Sequence, residues 1–305
     1  MRLNKMGISK KFLKNITNPI YFELIKLNLI SNKNLNLIAK RTRNKKINVF
    51  QDIKEKVIFL EKYITSRNFY RNQKNISPII KNGKKINLDR LQDTDRRFHQ
   101  FKKYLKKKNI LDYGCSLGDF LRRVDNTKKK YGLEINNSNI NYIKKKFSNI
   151  NIKNNIKLFN INFDVITLFH VLEHLPHQVE SLKEIKTKLK SSGKLIIEVP
   201  HANDFLISKL NHEAFKKFTF WEQHLILHTE KSLKKILIKS GFKKVKIIFF
   251  QRYGLDNHLG WILDDKPGGH IKYKTIFNDR INNEYKSKLI KMKRSDTLIA
   301  IASPK

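Results

Sequence analysis

Asn109-Ile-Leu-Asp-Tyr-Gly-Cys-Ser-Leu-Gly-Asp-Phe-Leu121 reads as a strand, a tight loop and the opening of a helix. The loop holds Asp112, Gly114, Ser116 and Gly118. A side chain at Gly114 or Gly118 would stand between the backbone and a ligand, and the free N–H groups at the start of the next helix favour negative charge. Two glycines four apart also occur in plain turns. Weight comes from Glu134 in Tyr131-Gly-Leu-Glu-Ile135, twenty-two residues beyond Asp112. Nucleotide-binding α/β units place a carboxylate on ribose hydroxyls at about that distance.

A second stretch, Phe163-Asp-Val-Ile-Thr-Leu-Phe-His-Val-Leu-Glu-His-Leu-Pro-His177, begins with an apolar run of buried-strand length, Val165 to Phe169. Pro176 opens a helix whose Val179, Leu182, Ile185 and Leu189 share one face. Between the two lie His170, Glu173 and His174. The carboxyl end of a parallel strand is where open α/β sheets bind ligands; a capping cluster around a turn is the alternative.

Asp112 to Gly118 resembles the D-x-G-x-G-x-G motif of class I S-adenosylmethionine-dependent methyltransferases, with Ser116 at the usual middle glycine, and Glu134 matches their ribose acid. The second stretch resembles their F-D-x-I-x-x-x-x-V-L-E-H motif, which implies that Phe169 and His170 line the methionine moiety. Phe218-Thr-Phe-Trp-Glu-Gln-His-Leu-Ile-Leu-His228 looks like the substrate loop of sugar C-methyltransferases. That likeness gives Glu222 to the substrate and makes His224 the general base, against a buried, hydrogen-bonded histidine. Gln251-Arg-Tyr-Gly-Leu-Asp-Asn-His-Leu-Gly-Trp261 and Lys266-Pro-Gly-Gly-His270 are similar to a segment of bacterial sugar or surface-polysaccharide methyltransferases of the type 23/type 11-like group. Arg252, Asn257, Trp261, Lys266 and His270 are then substrate-binding residues and His258 a second base. A segment that covers the sheet edge or forms a dimer contact is the alternative.

The resemblance implies an α/β fold with a Rossmann-like seven-stranded sheet, mostly parallel with the last strand antiparallel, and helices on both faces. Residues 86–305 would form this domain, with a lid-like insertion at 251–294. Residues 1–85 would be a small extension, helical to about Arg43 with Pro19 in a first turn, then a hairpin from Lys46 to Tyr63. Pro78 and the Lys81 to Lys85 turn would separate the two parts.

Along the domain, Asp93 to Lys107 reads as a helix capped by Asp93 or Thr94, with Phe98, Phe101 and Leu105 on one face. Its Arg96 and Arg97 could reach the cofactor's carboxylate. Ser138 opens a helix through Phe147, and Ile156 to Phe159 reads as strand three, leaving Asn160 or Asn162 for the adenine. Gly193 ends the helix begun at Pro176, and Lys194 to His201 is a buried strand. Thr229 caps a helix through Ser240 stopped by Gly241, strand six runs from Val245 to Phe250, and Asp296 to Ala302 closes the sheet.

A chain of 305 residues with 40% hydrophobic content can bury a full core. The single cysteine, Cys115, excludes an internal disulfide, and no apolar run has membrane-span or signal-peptide form. A cytoplasmic protein is expected. No metal-ligand spacing is read. The net charge of +39 suits an anionic partner such as RNA, a nucleotide-linked metabolite or a membrane surface. Lysines run through every element rather than one face, which reads as background composition. The expected activity is methyl transfer from S-adenosylmethionine to a small acceptor, a sugar, nucleotide-sugar or polysaccharide precursor. RNA methyl transfer, favoured by charge, and cofactor binding without catalysis, favoured by the weak third strand, stand behind it.

Overall fold

The computed structural model describes residues 13–72, 88–125 and 127–305. The Pro78 and Lys81 to Lys85 separator lies outside them. Strands β1 (Leu35–Ala39), β2 (Val49–Asp52) and β3 (Ile58–Leu60) come first, then β4 (Asn109–Tyr113), β5 (Lys129–Leu133) and β6 (Ile150–Lys153). β7 (Phe163–Phe169), β8 (Leu189–Pro200), β9 (Ile226–Leu227), β10 (Phe242–Phe250) and β11 (Thr297–Pro304) follow.

Seven strands form one sheet in the order β10-β11-β8-β7-β4-β5-β6. β4 pairs in parallel with both β5 and β7, and β11 runs antiparallel between β8 and β10. The expected architecture is therefore present. From β4 the chain winds outward through β5 and β6, then returns to the other side of β4 at β7. Strand order reverses there, so a crevice opens beyond the carboxyl ends of β4 and β7.

Neighbouring residues of the central strands face opposite layers. Ile110 and Val165 pack with Phe98, Phe101, Leu105 and Phe120, while Leu111 and Ile166 join the larger core under Leu182 and Ile185. Fully burying such a side chain stabilises by about 1.5–3 kcal/mol. The two-residue period of β4 and β7 thus clamps the helices of both faces.

The front of the chain is built onto this core. Asn18 caps the helix Pro19–Lys26 by accepting from Ile20 N, and its Nδ2 donates to Leu60 O and Leu225 O. β1, β2 and β3 form a meander completed by β9, which comes from the later part of the chain. Residues 32–39 depart from the helical expectation: a short 3-10 turn leads into β1, whose Asn36 and Leu37 pair with β2.

Four further expectations are corrected. The helix expected at Asp93 spans Leu88–Leu105, so Asp93 and Thr94 sit inside it, and Thr94 Oγ1 donates back to Arg90 O. The third strand is β6, where Ile150 and Ile152 turn inward between exposed Asn151 and Lys153; Ile156–Leu158 is a 3-10 turn. Asn136, not Ser138, caps the helix Asn137–Lys146 through Asn139 N. Gly193 lies within β8, where a Cβ would come 2.8 Å from Lys190 O; the preceding helix already ends at Thr187. In contrast, Thr229 caps Glu230–Lys239 as expected, with Ser232 completing a capping box. No helix among the described residues is long and apolar enough to cross a membrane.

Candidate active site

The crevice floor is the loop after β4. Gly114, Ser116 and Gly118 all have positive φ, +79°, +51° and +78°. Amides of Gly114 and Cys115 both donate to Leu133 O, at 2.8 and 3.0 Å, which ties the loop to β5. A Cβ on Gly114 would come 2.6 Å from Val171 Cγ2, so the close approach of loop and wall requires glycine. Asp112 is buried beneath the loop and accepts from Thr167 Oγ1 at 2.7 Å. Burial pushes its carboxyl up to about 7, against the lowering effect of that bond.

Glu134 follows β5 at the crevice edge. Its Oε1 accepts from the amides of Ile135 and Asn136 at 2.6 and 2.8 Å, and Oε2 takes a long bond from Asn139 Nδ2 at 3.5 Å. Burial raises its pKa in spite of these donors. Ser116 Oγ is buried without a partner. Leaving such a group unsatisfied costs about 1–3 kcal/mol, so a polar ligand atom belongs there. A cradle with no room for a side chain, an oriented carboxylate and an orphan hydroxyl together fit the nucleoside end of S-adenosylmethionine.

The opposite wall follows β7 and β8. Phe169 packs on Phe101 and Phe120 at ring distances of 5.8 and 4.9 Å. His170 takes the left-handed conformation, φ +54°, with its amide donating to Glu198 O. Its ring stands between two carboxylates, Nδ1 3.2 Å from Glu173 Oε1 and Nε2 3.2 Å from Glu198 Oε1. Burial alone would lower the His170 pKa, but these carboxylates outweigh it and the net shift is upward. Glu198 is fully buried and held well below the usual carboxylate range: burial pushes upward, and Arg97, His170 and Arg96 outweigh it.

Arg96 Nη2 reaches both Glu198 oxygens at 2.8 and 3.0 Å, and Arg97 Nη2 reaches Oε1 at 2.7 Å. The two arginines proposed for a cofactor carboxylate thus already share a protein carboxylate, although Arg97 Nε is buried and unpartnered. Arg252 joins the network through Asp93 (3.4 Å) and, by its backbone amide, Asp296 (3.0 Å). Its guanidinium pKa is raised because Asp296 and Asp93 outweigh burial. Three guanidinium groups, Arg96, Arg97 and Arg252, and the His170 ring therefore meet four carboxylates, Asp93, Glu173, Glu198 and Asp296.

Other residues of the expected site are spread. His224 lies in the turn before β9 with its ring 5.0 Å from His174 and 5.5 Å from Trp221. Burial pushes His224 down to about 3, so the ring is neutral, and Nδ1 is buried without a partner. Glu222, two residues earlier, accepts from Asn44 Nδ2 through Oε1. His258 sits apart, in the helix Leu255–Asp264, with Nδ1 2.8 Å from Tyr285 Oη and its ring stacked on Phe205. Asn257 Nδ2 is 2.9 Å from His270 Nδ1. Trp261 is 3% exposed, packed against Phe215 and Phe218, and has no face free for a sugar. Lys266 is exposed. The insertion is thus mostly helix, and the helix Leu255–Asp264 turns Asn257, His258 and Trp261 inward while Ile262 and Leu263 stay exposed.

Glu198, Asp93 and Asp296 were not singled out from the sequence. Glu198 did leave a signal, a lone acid inside Leu195-Ile-Ile-Glu-Val199, where a buried charge demands a partner. In the sequence Asp93 reads as a helix cap and Asp296 as the start of the last strand.

Residues 85–247 match the model of a methyltransferase-domain family. Among known proteins, a tRNA U34 carboxymethyltransferase of Nautilia profundicola is 27% identical over 261 residues, 77% of this chain and 79% of its own. Another of the same name, from Campylobacter fetus subsp. fetus, is 26% identical over 200 residues, 60% of this chain and 71% of its own. A solved structure described as an S-adenosylmethionine-dependent methyltransferase, from Archaeoglobus fulgidus, is 21% identical, covers 70% of this chain and 94% of its own, and has a TM-score of 0.48.

Proposed function

The chain belongs to the methyltransferase-domain family, and from that premise we propose that its acceptor is RNA, a nucleoside of the tRNA class for which its relatives are named. The enzyme is an S-adenosylmethionine-dependent methyltransferase. The observation that carries the acceptor is the alignment with a tRNA-modifying relative over most of both chains, 77% and 79%. The net charge of +39 agrees, since neutralising phosphates is the main source of RNA affinity.

S-adenosylmethionine supplies a methyl group activated by its sulfonium. What remains for the chain is alignment, worth up to ~7–11 kcal/mol in well-oriented systems. The glycine loop fixes the approach of the backbone, Glu134 orients the ribose end, and the Phe169–His170 turn, locked to Glu198, forms the far wall. An acceptor hydroxyl or acidic carbon must also lose a proton. Of the two histidines considered for that task, His258 has its Nδ1 engaged by Tyr285, while the neutral His224 has a buried nitrogen with no partner. That open nitrogen supports His224 as the proposed base.

A small-molecule acceptor is the second reading, and one observation favours it: among the described residues, Arg96, Arg97 and Arg252 at the crevice are each matched by a carboxylate and so are drawn away from a phosphate backbone. The sugar-specific form of that reading is weakened by the burial of Trp261. Transfer of label from methyl-labelled S-adenosylmethionine to bulk tRNA, run beside a deproteinised small-metabolite extract, separates the two. Label in tRNA, recovered after nuclease digestion in a single modified uridine carrying one added methyl group, is the expected result. Label confined to the metabolite pool would overturn the RNA assignment.

A further inference from the structure

Glu173, His174 and His224 each offer one ligand atom, and the three atoms lie within 4.8 Å of one another. The chain brings them together from two places: Glu173 and His174 from the turn after β7, His224 from the turn before β9 fifty residues later. That separation hides the set from any reading of local spacing. The turns are joined by the Leu225 amide, which donates to Glu173 O at 2.9 Å.

We propose that these three side chains form a divalent transition-metal site, of the kind that takes Zn²⁺, at the acceptor side of the crevice. Two imidazoles and one carboxylate make a three-donor set that leaves positions open for water or an acceptor oxygen. Two independent observations point to a missing ligand. Glu173 is fully buried, and while its Oε1 takes the His170 Nδ1 contact, Oε2 has no partner. His224 Nδ1 is likewise buried and unpartnered. A buried carboxylate oxygen and a buried imidazole nitrogen, both without partners and on residues of this cluster, carry a desolvation cost that a cation would offset.

The surroundings suit the assignment. Tyr70 Oη lies 3.2 Å from His174 Nδ1 and fixes that ring, as partners of ligating histidines do. Glu222 Oε2, two residues before His224, is also buried without a partner and adds negative charge nearby. The competing cation is Arg43, which is drawn off by Phe218 O at 2.7 Å and by the Phe218 ring. With a cation bound, His224 would serve as a ligand instead of the base proposed above; an acceptor oxygen held by the metal would be more acidic and would release its proton to water.

The test needs no acceptor and no turnover. Full-length protein stripped with chelator is titrated with Zn²⁺ by calorimetry, with Mn²⁺ and Mg²⁺ in parallel, and melted with and without metal. One equivalent of a divalent ion should bind and raise the melting temperature. His224→Ala and His174→Gln should each weaken that binding at least a hundredfold and abolish the thermal shift, while His258→Ala leaves both unchanged. Absence of stoichiometric binding of all three ions to the wild type would overturn the site. So would wild-type affinity in either ligand variant, and His174→Gln keeps the test open if His224→Ala fails to fold.

Discussion

At the scale of single residues, Gly114 and Asp112 carry the sharpest consequences. Gly114→Ala places a Cβ against Val171 in a backbone of φ +79°. A cost of about 1–3 kcal/mol in stability is expected from the strained conformation alone, and thermal-shift titration should show weakened S-adenosylhomocysteine binding. Asp112 gives a pH signature. Its folded pKa, raised to about 7 by burial, exceeds an unfolded value of about 4, so the folded protein holds a proton that the unfolded chain releases between those values. Stability from this group is complete below about pH 4 and is lost as pH rises toward 7, at up to ~1.4 kcal/mol per pH unit. Urea unfolding of Asp112→Asn should lack that slope, and an unchanged slope would assign it elsewhere. Both residues were legible in the sequence because glycine and acid sit beside each other in a motif. Glu198 and the joining of His174 to His224 were not, since burial of a charge and convergence of distant turns are tertiary facts.

At the scale of elements, helix ends decide more than helix interiors. Glu23, on the first described helix, accepts from the amides of Gln178 (3.2 Å) and Val179 (2.8 Å) and so caps a helix more than 150 residues away. Glu23→Ala should cost about 1–2 kcal/mol, the usual worth of an N-terminal cap, read as a lower urea midpoint. Phe101 is 1% exposed between the helix Leu88–Leu105 and Phe169. Phe101→Ala should cost about 3–5 kcal/mol and loosen the crevice wall with it. The element order is readable from the apolar run Val165 to Phe169 in β7 and from the shorter runs Ile110-Leu111 in β4 and Ile247 to Phe250 in β10, each leading into turn residues. β6 differs from the expected third strand because its two inward isoleucines compete with three apolar residues in Ile156 to Phe159, and Gly193 does not end a helix because β8 absorbs it at a register shift near Phe163 and Val165.

For the whole molecule, the excess of 65 basic over 26 acidic residues is a surface property, since the described arginines of the crevice are paired with carboxylates. If that surface carries tRNA, affinity should fall on the order of a thousandfold between roughly 50 and 200 mM salt, as for proteins making about six phosphate contacts. A filter-binding series checks this, and a flat series would leave the charge without an RNA role. The seven-stranded sheet exists to hold the glycine loop and Glu134 at one edge of the crevice and the Phe169–His170 wall at the other. Calorimetric titration of S-adenosylhomocysteine into wild-type and Glu134→Gln protein tests that assignment most directly. A single site in the wild type, weakened by about 1–3 kcal/mol in a variant of unchanged melting temperature, is the expected result; equal affinity in both proteins would contradict it.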